Sequence, residues 1–182
     1  KIATIDASAM TAGLTATGTK TTGLTITGGS GNDTIEGAAG NDTLTGGDGK
    51  DTITTAAGVD TVSAGAGDDT VVVANNLTAA DTVDGGDGTD TLSISAAVTS
   101  AVANTTGFET LLTSATSQNY AVFTGSTIST VSTSQTGGNF SLTNTPDSLT
   151  LSISGAAPAN VTASKAVNGL SDALTVSVGR SA

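Results

Sequence analysis

Cysteine, histidine and tryptophan are absent from this chain, and prolines number only two, phenylalanines three and tyrosines one. Each absence closes a route. Without cysteine there is no disulfide framework and no thiolate nucleophile or thiolate metal site. Without histidine the usual proton carrier near neutral pH is missing, and no HExxH motif, GxSxG elbow or P-loop takes its place. An aromatic content of 2% leaves neither base-stacking platforms nor the aromatic shelves of sugar-binding clefts. Basic residues number 5 against 16 acidic ones, for a net charge of −11. That balance argues against nucleic acid and anionic membrane surfaces as partners. There is no signal peptide, no transmembrane run and no initiating Met, and the pattern is already under way at Lys1, so the chain reads as a piece of a longer one. Enzymatic function within it is not expected.

What the chain does have is a period. Between Gly28 and Ser93 the nine-residue unit GGSGNDTIE is restated as GAAGNDTLT, GGDGKDTIT, TAAGVDTVS and AGAGDDTVV. After the insertion Val73-Ala74-Asn75 it returns as NLTAADTVD and GGDGTDTLS. In all seven units the sixth and seventh residues are Asp-Thr and the eighth is Ile, Leu or Val. Glycines at the first, second and fourth places permit positive φ and tight turning, and leave backbone carbonyls exposed at close range. The Thr-aliphatic-x tail suits a short strand with Thr outward and the aliphatic inward. Two units then make one coil of a solenoid. A disordered Gly/Asp-rich linker does not explain the aliphatic in every eighth place.

If successive units alternate edges, Asp33, Asp51 and Asp69 stack in one column and Asp42 and Asp60 in the other. Coils lie about 4.8 Å apart, where two bare carboxylates repel by roughly 0.9 kcal/mol in water and more in a poorer dielectric. The columns therefore call for a cation, and Asp51, in the middle of its column, can face its two oxygens to ions on either side. Carboxylates and carbonyls without His or Cys form a hard, oxygen-only ligand set that suits Ca2+, with Mg2+ the weaker candidate because it demands octahedral geometry. An array of seven aspartates at constant spacing is also a poor match for a glycosidase dyad. The candidate ligands are Asp33, Asp42, Asp51, Asp60, Asp69, Asp81 and Asp90, with the turn glycines Gly29, Gly31, Gly40, Gly47, Gly49, Gly58, Gly65, Gly67, Gly86 and Gly88. NLTAAD keeps none of the glycines, so the Asp81 turn is expected to be the poorest site and the insertion before it a point where the stack can break. Asp48, Asp68 and Asp87 read as a solvated rim.

Glycines at the front of a nonapeptide and one aliphatic near its back make a repeat that resembles the RTX (repeats-in-toxin) family. The resemblance implies an all-β fold, a parallel β-roll or β-solenoid with calcium-binding turns, followed here by a further β-rich segment. The phrases IDASAM and GLTATG before the repeat, and GFETLL (Gly107 to Leu112) after it, are similar to bacterial surface-layer proteins. That likeness implies a secreted structural protein, exported by a type I route, that self-assembles into a lattice at the cell surface, with cell-surface polysaccharide as a candidate partner. An adhesin or biofilm-matrix module stiffened by calcium, and the secretion tail of an exported hydrolase, are the alternatives.

Three regions follow along the chain. Residues 1–27 form a β-solenoid lead-in, in which Leu14 and Ala16 recur as Leu24 and Ile26. Residues 28–93 form the calcium-binding β-roll, which holds twelve of the sixteen acidic residues with only Lys50 to offset them. Residues 94–182 form a Thr/Ser-rich β domain. Its strands are expected at Thr91–Ser95, Glu109–Leu112, Tyr120–Phe123, Ser126–Val131, Phe140–Thr143, Ser148–Ser154 and Ala173–Val178. A short helical periodicity falls at Val98–Ala103. Beside its likeness to surface-layer proteins, GFETLL also reads as an ordinary strand start, with Phe108 filling core and Glu109 solvated.

Overall fold

The computed structural model describes residues 3–19, 22–73, 77–115, 117–119, 122–123, 126–133, 139–145, 148–153, 160–165 and 173–178. Their regular elements are strands joined by turns, with no α-helix among the described residues. In chain order they are β1 (Thr4–Asp6), β2 (Thr15–Thr17), β3 (Thr25–Thr27), β4 (Thr34–Glu36), β5 (Thr43–Asp48), β6 (Thr52–Thr54), β7 (Thr61–Ala66), β8 (Thr70–Val73) and β9 (Thr82–Asp87). There follow β10 (Thr91–Ile94), β11 (Thr105–Thr106), β12 (Thr110–Thr113), β13 (Ser117–Asn119), β14 (Thr130–Thr133), β15 (Asn139–Thr145), β16 (Ser148–Ile153), β17 (Asn160–Lys165) and β18 (Ala173–Val178).

Each strand pairs in parallel with the strand two places on in sequence, apart from β11, which ends its own sheet. Even-numbered strands build one nine-stranded sheet from β2 to β18. Odd-numbered strands build a six-stranded sheet from β1 to β11 and a three-stranded sheet from β13 to β17. The fold is a parallel β-solenoid. Its cause is the two-residue periodicity of Thr-aliphatic-x: in β4 Thr34 and Glu36 are exposed and Ile35 is buried, and β6 repeats the pattern with Ile53. Register brings like residues together, Ile35 beside Ile53, Ile53 beside Val71 and Val71 beside Leu92. The aliphatics of both faces, with Leu44, Val62 and Val83 from the other sheet, fuse into one apolar core.

The ladder continues where the composition changes. β10 pairs with β12, β12 with β14, β14 with β16 and β16 with β18, so the neutral Ser/Thr-rich residues beyond Ser93 add rungs to the sheet begun by the acidic ones. The first strands behave likewise, with Ile5 beside Ile26 and Ala16 beside Ile35. Nor does the three-residue insertion break the stack: Thr61 pairs with Thr82 and Thr70 with Thr91, and Val73, the first residue of the insertion, extends β8 and pairs with Ile94. Ala74 and Asn75 of that insertion lie outside the described residues.

Beyond the repeat several expectations shift. Val98–Ala103 is not helical; Val98 and Val102 are both buried core residues. The Val98 N–H donates to Oε1 of buried Gln118 at 3.0 Å, and Gln118 Nε2 donates back to the Val98 carbonyl at 3.1 Å. The amide thus stands in for a neighbouring rung. Tyr120 and Ala121 fall outside the described residues, Val122 and Phe123 are buried but not extended strand, and the strand nearby is Ser117–Asn119. The strand expected at Ser126–Val131 is confined to Thr130–Thr133. Asn160–Lys165 forms a strand the alternation did not single out, since its Ala and Ser positions blur the apolar period.

Candidate metal centre

Each acidic unit carries the chain from one sheet to the other, and its sixth residue falls where the turn re-enters a strand. There the carboxylate folds inward: Asp33, Asp42, Asp51, Asp60, Asp69, Asp81 and Asp90 are at most 4% exposed. They stack in two columns at opposite edges of the solenoid. On the first edge the Asp33 N–H donates to Asp51 Oδ1 at 2.8 Å, Asp51 N–H to Asp69 Oδ1 at 2.7 Å and Asp69 N–H to Asp90 Oδ1 at 2.8 Å. On the second, Asp42 N–H donates to Asp60 Oδ1 at 2.9 Å and Asp60 N–H to Asp81 Oδ1 at 2.8 Å. Leu14 and Leu24 start the columns by donating to Asp33 Oδ1 and Asp42 Oδ1. One oxygen of every repeat carboxylate is therefore held by a peptide donor from the preceding coil. This corrects the expectation that Asp51 has both oxygens free to face cations on either side, since its Oδ1 is held by the Asp33 N–H.

The second oxygen separates the edges. On the second edge Ala38 N–H donates to Asp42 Oδ2 at 2.8 Å, and Thr78 donates to Asp81 Oδ2 from its N–H at 2.7 Å and its hydroxyl at 3.0 Å. On the first edge only Asp33 is closed in this way, by Gly29 N–H at 2.9 Å. Oδ2 of Asp51, of Asp69 and of Asp90 is buried with no hydrogen-bond partner. The backbone explains why. β5, β7 and β9 run on into the turn, pairing Gly47 with Gly65 and Gly65 with Gly86, and all three glycines have positive φ, 124°, 120° and 96°. The second residue of the unit is thereby committed to the ladder and does not turn its N–H onto the carboxylate.

A carboxylate oxygen without a donor is costly to bury. Desolvation by burial raises the carboxyls of Asp51 and Asp90 to about 6, and raises Asp60 and Asp69 as well. For Asp51 the peptide donor from Asp33 opposes the rise, while repulsion from Asp69, Asp33 and Asp48 adds to it. A cation beside such a carboxylate would favour its charged form.

At three first-edge glycines a carbonyl oxygen and a carboxylate oxygen crowd the same point. A Cβ added at Gly46 would collide with both Asp51 Oδ2 and the Ala64 carbonyl, and one at Gly28 with both Asp33 Oδ2 and the Gly46 carbonyl. One at Gly85 would collide with the Gly107 carbonyl and lie 2.9 Å from Asp90 Oδ2. At Gly37 on the second edge the neighbours are Asp42 Oδ2 at 2.7 Å and the Leu44 side chain at 3.2 Å, without a carbonyl. Among the described residues no three acidic side chains converge on one point, so a bound ion would take most of its ligands from carbonyls and water. A hard cation that accepts six to eight oxygens in flexible geometry, Ca2+, fits that donor set.

Asp48, Asp68 and Asp87 are exposed, although Asp68 also accepts the Thr89 N–H at 3.0 Å. Glu109 is partly exposed and more than a solvated strand start: its Oε2 accepts the Asp90 N–H at 2.9 Å, so it ends the first column. The signal was present in Glu109-Thr110-Leu111, which restates Asp-Thr-aliphatic in register with Asp90-Thr91-Leu92. Phe108 beside it is fully buried, as expected.

A parallel β-roll with inward aspartate columns at glycine turns defines a structural calcium-binding module. Residues 25–53, 37–71 and 78–93 match the RTX calcium-binding nonapeptide repeat (4 copies), leaving out the stretch that holds the insertion. The chain carries RTX repeats, and such repeats bind Ca2+ at multiple sites. Curated proteins and solved structures give no match to the chain. Among the described residues no helix is long and apolar enough to cross a membrane.

Proposed function

We propose that this chain is a calcium-ordered structural segment of a secreted bacterial surface-layer protein that self-assembles at the cell surface, with Ca2+ held along the aspartate columns by carboxylate and glycine-carbonyl oxygens. One observation carries the reading: a single nine-stranded sheet runs from neutral rungs through the acidic ones and on into neutral rungs. Thr34, Thr52 and Thr150 lie exposed along that face, and Thr70, Thr91, Thr110 and Thr130, aligned with them, are partly exposed. Such a hydroxyl-lined face can approach another copy without heavy repulsion, whereas the acidic turns repel until their charge is met.

Calcium then acts as the switch for assembly, scarce inside the cell and plentiful outside. Sites of extracellular modules commonly work near 10⁻⁴ to 10⁻³ M, which sets the expected transition. Electron microscopy and sedimentation of the full-length protein against calcium test this, with magnesium at equal ionic strength as control. An ordered two-dimensional array supports the reading. Assembly driven equally by magnesium reduces it to charge screening, and isolated stiff rods favour the adhesin spacer.

A further inference from the structure

The two edges of the roll are not equivalent, and their difference has a functional consequence. We propose that calcium is confined to the edge of Asp51, Asp69 and Asp90, and that at the opposite edge main-chain donors have taken the ion's place on Asp42 and Asp81. This rests on the calcium-binding reading above and assigns its sites to one side of the molecule.

Two independent observations separate the edges. The first is hydrogen bonding: the buried Oδ2 atoms of Asp51, Asp69 and Asp90 have no partner, while those of Asp42 and Asp81 accept peptide N–H groups. The second is the company those oxygens keep. The point where a Cβ at Gly46 or Gly85 would sit is crowded by Oδ2 of Asp51 or of Asp90 together with a carbonyl of the next coil, from Ala64 or Gly107, whereas at Gly37 the atoms nearest that point are those of the Asp42 carboxylate and the Leu44 side chain. A cation needs several oxygens around one point, and an apolar methyl in that place supplies none.

The sequence cause is the second residue of the unit. On the first edge it is Gly47, Gly65 and Gly86, each at positive φ. On the second it is Ala38, Ala56 and Leu77, whose Cβ atoms disfavour that conformation. An L-residue there keeps negative φ, and at Ala38 the N–H swings onto the carboxylate. Gly29 supports the rule from within the first edge: its φ is not among the positive ones, and its N–H caps Asp33. The free oxygens therefore begin at Asp51 and end at Asp90, where Gly107 and Glu109 close the column.

Native mass spectrometry of the full chain in calcium counts the bound ions. The double variant Asp60→Asn/Asp81→Asn is expected to keep the wild-type number, and Asp51→Asn/Asp69→Asn/Asp90→Asn to lose bound calcium. Equal loss from both overturns the edge assignment and leaves the calcium reading standing. Crystals of the unmodified chain grown with Tb3+ give the same answer without any substitution. Anomalous peaks are expected beside Asp51, Asp69 and Asp90 only, and a peak at Asp42, Asp60 or Asp81 overturns the inference. An unmodified chain that binds no calcium at all overturns the calcium reading itself, before any variant is compared.

Discussion

The backbone N–H of Asp51 donates to Oδ1 of Asp69 at 2.7 Å, one coil further along. Every rung of the acidic roll is tied to the next in this way, and at Asp51, Asp69 and Asp90 the carboxylate is at once a structural acceptor and, through its other oxygen, an unmet negative charge. The stability of the roll is thereby coupled to whatever meets that charge.

Removal of calcium should unfold residues 28–93 before the neutral rungs. The buried and unpartnered Oδ2 atoms all lie in that stretch, and ligand binding that occurs only in the folded state contributes directly to its stability. Hydrogen exchange in EGTA checks this: amides of β4 to β10 are expected to lose protection while those of β14 and β16 retain theirs. Unchanged protection across the repeat would sink the structural role of the ion.

In calcium-free buffer, acid should stabilise the roll. The carboxyls of Asp51 and Asp90 rise from 3.8 to about 6 on folding. A raised folded pKa means the folded state binds protons more tightly than the unfolded one. The associated stability is thus complete below 3.8 and is lost as pH rises through 6. Thermal melts followed by circular dichroism are expected to show a higher Tm near the acid end of that window than at neutrality. With saturating calcium the trend should reverse, because protons then compete with the ion.

Asp51→Ala and Asp87→Ala separate column from rim. The first strands the Asp33 N–H in a buried position, for a cost of about 1–3 kcal/mol, and removes a ligand as well. The second removes an exposed side chain, for which a change within about 0.5 kcal/mol is expected. Urea unfolding in calcium measures both, and equal effects would reduce the column to a diffuse acidic patch.

Gly65→Ala should destabilise more than Ala64→Gly next to it. Gly65 sits at φ 120°, and a Cβ there would collide with the Gly47 carbonyl, whereas residue 64 already carries a Cβ, buried in the core. Strain of this kind costs roughly 1–3 kcal/mol, and the paired coils must shift to relieve it. Denaturation midpoints of the two variants give the comparison, and a Gly65→Ala protein as stable as the parent would show that the turn can re-form at negative φ.

The Asp-Thr-aliphatic period was sufficient by itself to specify a parallel solenoid, the inward Ile, Leu and Val, and the two aspartate columns, because each unit dictates its own turn and strand from nine consecutive residues. Tolerance of the insertion, the stand-in amide of Gln118 and the place of Glu109 at the column's end were decided only by the tertiary structure. Each depends on a partner about one coil away: Asp60 N–H reaches Asp81 across 21 residues, Val98 reaches Gln118 across 20 and Asp90 reaches Glu109 across 19, distances at which spacing alone no longer selects the partner. The inequality of the edges has the same origin. Glycine at the second place of a unit permits positive φ, but it was pairing with the next coil that drew Gly47, Gly65 and Gly86 into the ladder and left the carboxylates behind them without a donor.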